Sequence, residues 1–599
     1  TFTFTDTNGW QDIAVANVLI NSALNAPGAC YVAFLPATGG GTVYLVDDAG
    51  DPGGPFSSMV LPSSGSVANS QCSIAATGSS TAASGNTLIL TLAITFSGSF
   101  VGNQVIYAAA RSNSQNSNWQ SIGSASIPES PAWSGYARDA QHSALSINRS
   151  QPLTRIHWQT PVDLSPQFNG DELLIHYGSP LVTAGNTVIV PVKTGATNGF
   201  RVEARSATDG TLLWSLTTGY VLPPHDWIPV FGPALTPASR LYYPGSGGTV
   251  YFRDQPDLAT GTGGQIAFYG LTNYRANPSP YDLGVAISTP ITSGSDGSIY
   301  FGFDVHGGTP LGLQSGIARI SPSGQGTWIS ATAAAGDSNI VKVVQNCAPA
   351  LNSKQGLLYV AVSTGFTGYL VALDMTTLQP RARVRLTEPG TGQDAVLSEN
   401  GSASPTVGPD GDVYFGVLDL GDNRFRGWLL HFDSILSAAK TPGAFGWDDT
   451  ASVVPSYMVP SYTGTSSYLL MTKYNDYIDT GGSGLNRIAI LDPGAAQTEA
   501  ATNVSVMKEV MTILGPTSNA PEGGVKEWCI NSAAVDPATM SILANSEDGK
   551  SYRWDLSTNT FSQSLMLSSG IAQAYTPTVI GADGTVYAIQ NATLFAIGQ

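Results

Sequence analysis

Charged side chains are scarce in this sequence. Lysine and arginine number 25, aspartate and glutamate 42, and together they make up 11% of the 599 residues, where soluble domains carry about 25%. The formal net charge is −17. A chain with so few cationic side chains is poorly suited to neutralise a run of phosphate groups, which argues against a nucleic acid or an anionic membrane as its partner.

Long apolar runs are also missing. The apolar runs that occur are the size of strands, as in 105–110, 357–362 and 468–471, whereas a membrane-spanning helix needs about 18 or more consecutive apolar residues. The sequence therefore predicts no membrane span. It starts at Thr1 without a basic and apolar leader, which we interpret as a mature, processed chain. Little lysine and glutamate with much threonine, serine, glycine and asparagine favours an extracellular or cell-surface location.

Cysteine is rare as well, with four residues at Cys30, Cys72, Cys347 and Cys529. An even number in a chain of secreted composition favours two disulfides. We predict Cys30–Cys72 within the N-terminal region and Cys347–Cys529 within the rest. The alternative is four buried free thiols.

The first 110 residues have the pattern of a small β-sandwich. Apolar and polar residues alternate in 1–5, 30–34 and 42–46, and glycine-rich or Asp-Pro-Gly turns separate such runs. About seven short strands in roughly 100 residues match the count of an immunoglobulin-like domain. Residues 111–132 are polar and small, a composition typical of a linker.

From about residue 133 the chain repeats. A small residue and a proline open one strand, a turn follows, and an aromatic or aliphatic strand appears about ten residues later. The repeats begin at Pro180, Pro233, Pro290, Pro349, Pro405, Pro460, a proline-less copy near Ala533, and Pro577. A strand-rich repeat of about 55 residues predicts a β-propeller, because one four-stranded blade cannot bury its faces alone.

Eight repeat starts predict eight blades, and the last is too short. Only residues 577–599 remain for it, fewer than four strands of about five residues plus turns require. Residues 155–162 supply a spare strand, which we expect to close the last blade and to remove its open edge. The predicted fold is all-β: an immunoglobulin-like sandwich over 1–110, a linker over 111–132 and an eight-bladed propeller over 133–599.

One half of the repeat carries a family likeness. Its clearest copy is Val202–Trp214, with Ala204, Asp209-Gly210 and a terminal tryptophan. This pattern, together with the opening Tyr136–His142, resembles the repeat of pyrroloquinoline-quinone-type β-propellers over roughly 133–599. The resemblance implies the propeller fold. A quinone dehydrogenase of that family would further imply two adjacent cysteines over the cofactor and a calcium ion held by Glu, Asn and Asp, but no two cysteines are adjacent here.

Candidate ligand-binding residues are few. We select Trp227, Trp447, Glu527 and Trp528 as a possible ligand face, because tryptophan stacks on sugar rings and charge is rare around Glu527. The alternatives are packed loop aromatics and, for Glu527, an anchored strand start.

Metal-binding patterns are weak in this sequence. The six histidines show no metal-ligand spacing, so the sequence predicts no metal site and no cofactor. Calcium at Asp448-Asp449, at Asp476 with Asp479, or at Asp47-Asp48 with Asp51 is the alternative to solvated loops.

The N-terminal strand suggests a function. Thr1–Thr5 alternates Phe2 and Phe4 with threonines at the end of the chain, and such a strand can complete the sheet of a neighbouring copy. A head-to-tail contact of this kind propagates into a filament if it does not close on itself. The alternative is that both phenylalanines pack in their own sandwich.

With no catalytic motif, the leading hypothesis is an extracellular, non-catalytic structural or adhesive protein that self-assembles into a homo-oligomer or filament. A polysaccharide-binding or polysaccharide-degrading propeller is the second hypothesis, and a quinone dehydrogenase the third.

Overall fold

The chain divides into two compact units, Thr1–Glu129 and Ser130–Gln599. The structure, a computed structural model, describes residues 1–599 except 52, 97–99, 101, 128–131, 171 and 570–576.

The first unit consists of two antiparallel sheets in its described residues. A four-stranded sheet has the order β1-β8-β7-β6 and a six-stranded sheet the order β10-β9-β2-β3-β4-β5. A 3-10 turn spans Trp10–Asp12. The strands are β1 (Phe2–Thr5), β2 (Val15–Asn21), β3 (Cys30–Ala37), β4 (Gly40–Val46), β5 (Phe56–Leu61), β6 (Ser66–Ala68), β7 (Cys72–Ser84), β8 (Thr87–Phe96), β9 (Gly102–Arg111) and β10 (Gln120–Ile127).

The two sheets share one hydrophobic core because their strands alternate. In β3, Cys30, Val32 and Phe34 are fully buried, and they join residues of the other sheet in a single cluster. The predicted Cys30–Cys72 disulfide is confirmed and links β3 of one sheet to β7 of the other.

The strand order differs from that of an immunoglobulin domain. There the first two strands share a sheet, whereas β1 and β2 lie in different sheets. The stretch 111–132 also differs from the expected linker, since β10 lies inside it and pairs with β9. An edge strand with one exposed face needs few apolar residues, which explains the polar composition that resembles a linker.

Phe2 and Phe4 do not form a free assembly strand. Strand β1 pairs with β8 of its own sheet, and both phenylalanines are buried in the core of the first unit. The alternating pattern of Thr1–Thr5 is explained by the chain's own sandwich. The apolar face of β1 covers the sandwich core, and the threonines face solvent.

The second unit is a β-propeller. It opens with β11 (Arg155–Pro161) and a small hairpin of β12 (Phe168–Asn169) and β13 (Glu172–Leu173), and eight sheets of three to five strands follow in the described residues. We call them blades 1 to 8 in chain order.

Blades 1 to 4 lie between residues 181 and 385. Their strands are β14 (Leu181–Val182), β15 (Thr187–Lys193), β16 (Phe200–Ser206) and β17 (Leu212–Thr218); β18 (Ala234–Leu235), β19 (Leu241–Pro244), β20 (Thr249–Arg253) and β21 (Gly263–Ala267); β22 (Val285–Ile287), β23 (Thr292–Ser293), β24 (Ile299–Val305), β25 (Gly316–Ile320) and β26 (Gly326–Ser330); β27 (Lys342–Val343), β28 (Ala350–Asn352), β29 (Leu357–Ser363), β30 (Gly368–Asp374) and β31 (Pro380–Arg385).

Blades 5 to 8 take the rest of the chain. Their strands are β32 (Thr406–Val407), β33 (Val413–Val417) and β34 (Trp428–Phe432); β35 (Ser452–Pro455), β36 (Tyr468–Tyr474), β37 (Arg487–Thr498) and β38 (Ser505–Leu514); β39 (Ala534–Asp536), β40 (Ser541–Asn545), β41 (Lys550–Asp555) and β42 (Thr560–Met566); β43 (Val579–Ile580), β44 (Val586–Gln590) and β45 (Thr593–Gly598).

Helices occur only as short connections in the described residues. The α-helices are α1 (Leu271–Ala276), α2 (Pro278–Gly284) and α3 (Ala331–Ala335), and 3-10 turns span Ser246–Gly248, Ser456–Met458 and Ile478–Thr480. Within that part of the chain, none is long and apolar enough to cross a membrane.

The last blade takes one strand from the start of the second unit. Strand β11, inside the stretch 155–162, pairs antiparallel with β45 and gives blade 8 the order β11-β45-β44-β43. Because 577–599 holds three strands only, β11 supplies the fourth and covers the edge of β45.

Residues 132–151, which we call the axial segment, run along the inner strands of the ring. Trp133 exchanges backbone hydrogen bonds with Val182 of β14, and Gln151 N donates to Gly584 O at 2.8 Å in blade 8. Carbonyls in between accept from the inner strands of blades 2, 4, 5, 6 and 7, the donors being Leu235, Leu351 (in β28), Val407, Val453 and Val535. A segment bonded to seven of the blades lies at the centre of the ring.

The axial segment depends on an unusual backbone. Ala137, Arg138, His142 and Ala144 have φ values between 45° and 77°, a region that non-glycine residues rarely adopt. At its end, a Cβ on Gly584 would lie 2.2 Å from the carbonyl oxygen of Arg149. The turn of blade 8 therefore needs glycine to let the segment pass.

A buried ion pair holds the first turn of the axial segment. Arg138 Nη1 donates to Asp139 Oδ2 at 2.9 Å, and both side chains are more than nine-tenths buried. The Asp139 carboxylate also accepts from the backbone N–H groups of Gln141 and Ser143. Asp139 thus fixes the fold of the segment and neutralises Arg138.

We predict that Asp139→Ala lowers the free energy of unfolding by about 3–5 kcal/mol, because it leaves the Arg138 guanidinium buried without its carboxylate. The measurement is urea denaturation followed by tryptophan fluorescence. Arg381→Ala is the control: it breaks the exposed pair with Asp374 and should cost less than about 1 kcal/mol. Equal, small losses in both variants would contradict a fixing role for Asp139.

Candidate functional site

Polar residues collect at one end of the propeller. In antiparallel blades, the loops between second and third strands and the connections from one blade to the next lie at the same end. Asp448 and Asp449 stand in the connection between β34 and β35, Lys473 near the end of β36, and Glu527 and Cys529 in the connection between β38 and β39. The turn after β40 adds Glu547.

Glu527, Cys529 and Glu547 form what we call the carboxylate–thiol cluster. The Cys529 thiol donates a hydrogen bond to Glu547 Oε1 at 2.6 Å. One ligand atom from each of the three residues lies within 4.8 Å of the others. Glu547 N also donates to the carbonyl oxygen of Glu527 at 3.3 Å, so the backbone itself joins the two loops.

Trp528, which lies between Glu527 and Cys529 in the chain, anchors this cluster to the core. Its side chain is fully buried in the core formed by residues of blades 6 and 7, and Asn475 pairs with its backbone N–H and C=O at 3.2 and 3.1 Å. With Trp528 anchored in the core, its neighbours Glu527 and Cys529 are held in place. Trp528 therefore does not belong to an exposed ligand face, contrary to the sequence expectation, because its ring is needed for packing.

The cluster holds protons more tightly than ordinary side chains do. Burial and the neighbouring Glu547 carboxylate raise the pKa of Glu527 to about 8, and burial also raises the pKa of Glu547. The pKa of the Cys529 thiol is raised well above its ordinary value by burial and by Glu547. At neutral pH the group thus carries less negative charge than its composition suggests.

Asp448 and Asp449 extend the polar region. Burial raises the pKa of Asp449 to about 8, while the Lys473 ammonium opposes the shift. Asp448 Oδ1 accepts from Ser402, and its Oδ2 has no hydrogen-bond partner in the described residues. With Trp447 it lines a cavity of about 20 Å³, room for one water molecule.

The other selected tryptophans are only partly exposed. Trp227 lies against His176 with ring centroids 5.7 Å apart, and His176 Nε2 lies 2.6 Å from the carbonyl oxygen of Asn400. Of the four residues selected as a ligand face, Trp227, Trp447 and Glu527 lie at the polar end of the propeller, and Trp528 lies in its core.

The predicted Cys347–Cys529 disulfide is wrong. Both cysteines are free and buried. Cys347 precedes the inner strand of blade 4 and Cys529 that of blade 7, so the ring keeps them apart. Burial raises the pKa of Cys347 to about 12, whereas Cys529 donates to a carboxylate.

Sequence reasoning missed Glu547 and Lys473. Glu547 lies in an ordinary polar turn, 545–550, that carries no motif. Lys473 could have been noticed, because it is a cation within a mostly apolar run. That run is the strand Tyr468–Tyr474, in which every residue is buried, and a buried cation requires partners.

Comparison with known proteins finds only structural likenesses at low sequence identity. No family model and no curated protein matches the sequence. Among solved structures, a europium-containing methanol dehydrogenase is similar with TM-score 0.46 and 10% identity, over 76% of this chain and 89% of that one. Quinohemoprotein alcohol dehydrogenase from Comamonas testosteroni gives 0.47 and 11%, over 79% and 81%. BamB from Moraxella catarrhalis gives 0.39 and 13%, over 74% and 99%. The propeller itself is defined by the strand pairing.

The side chains present do not fit a quinone site of the kind that the resemblance implies. Cys30 and Cys72 form a disulfide in the first unit, and Cys347 and Cys529 belong to different blades. No two cysteines are adjacent in the sequence, so the cysteine pair that such an enzyme holds over its quinone is missing.

We predict that deprotonation of Asp449 lowers the wild-type free energy of unfolding as the pH rises from about 4 to about 8. The slope from this one group is at most about 1.4 kcal/mol per pH unit. The pKa of Asp449 is higher in the folded than in the unfolded state, so folding takes up a proton at pH values between the two. The stabilisation is fully present below the unfolded pKa and is lost as the pH rises to about 8. Asp449→Asn should flatten this dependence, measured by urea denaturation between pH 5 and 9. Parallel profiles for the two proteins would refute the assignment.

Proposed function

We propose that this protein is an exported, non-catalytic structural or adhesive protein. The axial segment carries the proposal: a propeller encloses a central channel, and here residues 132–151 of the chain itself run along its inner strands. The ring then acts as a rigid body. The Cys30–Cys72 disulfide supports an oxidising compartment outside the cytoplasm.

Self-assembly through the first unit is part of the proposal. The strands involved are β5 and β10, not the N-terminal strand β1 that the sequence suggested. The six-stranded sheet ends in β5 on one side and β10 on the other. Phe56 and Val60 of β5 and Ile122 of β10 are exposed apolar residues. Pairing of β10 in one copy with β5 in the next would continue the sheet from copy to copy, a head-to-tail contact that gives a filament when the rotation between copies does not close.

We predict that Val60→Lys abolishes concentration-dependent assembly of the full chain, because a charge on an edge strand opposes pairing. Sedimentation velocity and negative-stain microscopy measure it. Leu311→Lys, which places the same charge at an exposed leucine of the propeller, should leave assembly unchanged. A wild-type chain that stays monomeric at all concentrations would refute assembly.

A polysaccharide-binding surface is the second candidate. The observation that favours it is the partly exposed pair of Trp227 and Trp447 at the polar end of the propeller, since aromatic faces stack on sugar rings. Binding on a glycan array that is lost in Trp227→Ala would support this function, and the absence of binding by the wild-type chain would end it.

A further inference from the structure

The carboxylate–thiol cluster combines three donor groups on two loops. Glu527 and Cys529 come from the connection into blade 7 and Glu547 from a turn within that blade. Their ligand atoms lie within 4.8 Å of one another. A tetrahedral zinc ion places sulfur and oxygen ligands about 3.6 Å apart, which small side-chain rotations reach.

An unpartnered buried amide lies two residues along the chain from Cys529. Trp528 and Ile530 belong to the core formed by residues of blades 6 and 7, and Cys529 and Asn531 alternate with them along the chain. Asn531 is fully buried, and neither its amide oxygen nor its amide nitrogen has a hydrogen-bond partner in the described residues. A buried amide without partners is costly, and a bound ion with its water would satisfy it.

Charge balance favours a divalent cation. Deprotonated Glu527, Glu547 and Cys529 carry three negative charges. Lys473 and Lys526 lie near enough to lower the pKa of both glutamates. A divalent ion together with Lys473 offsets the three charges, and Lys526 adds a further positive charge beside Asp479, which acts on Glu527, and Glu172, which acts on Glu547.

We propose that Glu527, Cys529 and Glu547 bind a zinc ion, with Asn531 facing the open fourth position. A thiolate selects zinc over calcium or magnesium, which take oxygen ligands. On binding, the Cys529 S–H bond breaks, the sulfur–zinc bond forms and the proton passes to solvent; a protonated glutamate releases its proton in the same way. The ion joins the connection 515–533 to the turn 545–550.

Cobalt(II) tests the site, because a thiolate–cobalt bond gives a charge-transfer absorption that carboxylate ligands do not. The full chain is stripped with a chelator, titrated with Co²⁺ and then with Zn²⁺. We expect the band to appear with one equivalent of Co²⁺ and to disappear as Zn²⁺ displaces it. Cys529→Ser should abolish the band, and Glu547→Gln should weaken Zn²⁺ binding about tenfold or more in calorimetry.

Cys347→Ser is the matched control, since Cys347 is the other free and buried thiol and should leave band and affinity unchanged. The spectrum of the wild-type chain alone shows whether a thiolate binds cobalt, even if a variant does not fold. No thiolate band in the wild-type chain, or a band that survives Cys529→Ser, would overturn the zinc site. A band lost in Cys347→Ser and kept in Cys529→Ser would place the metal elsewhere and also overturn it.

Discussion

The backbone hydrogen bonds between the axial segment and the inner strands are the constraint on which the propeller depends. Inner strands such as β14, β18 and β32 are two residues long and pair with their blade on one side only. Residues 132–151 bond to them from the other side in blade after blade. The segment also reaches blade 8, where β11 pairs with β45, so the start of the second unit and the end of the chain are fixed to each other.

Much of the fold follows from local pattern. The proline-led repeat and the turn that follows each first strand predict separate antiparallel sheets, because strand alternation and turn chemistry act within ten residues. Strand order in the first unit depends instead on which strands meet across the sandwich, and alternation in Thr1–Thr5 or 30–34 carries no information on that. For the same reason, the polar edge strand β10 resembles a linker, and Phe2 is equally compatible with its own core or a neighbour's.

The polar end of the propeller is less predictable because its residues come from different repeats. Glu527 stands out in the sequence as a rare charge beside a tryptophan, but its partner Glu547 lies 20 residues away in an unremarkable turn. Cys347 and Cys529 look like a pair by count alone, and only the ring geometry separates them. Trp528 shows the reverse case, where a residue typical of a binding face is used for packing between blades.

Native-state hydrogen exchange tests most directly whether the axial segment lies at the centre of the ring. The amide protons of Leu235, Leu351, Val407, Val453 and Val535 donate to the axial segment. If the segment fills the centre of the ring, these five amides exchange only through global unfolding and share one free energy of opening. Exchange at the rate of the exposed turns, or protection that differs from blade to blade, would show that the segment is not held there.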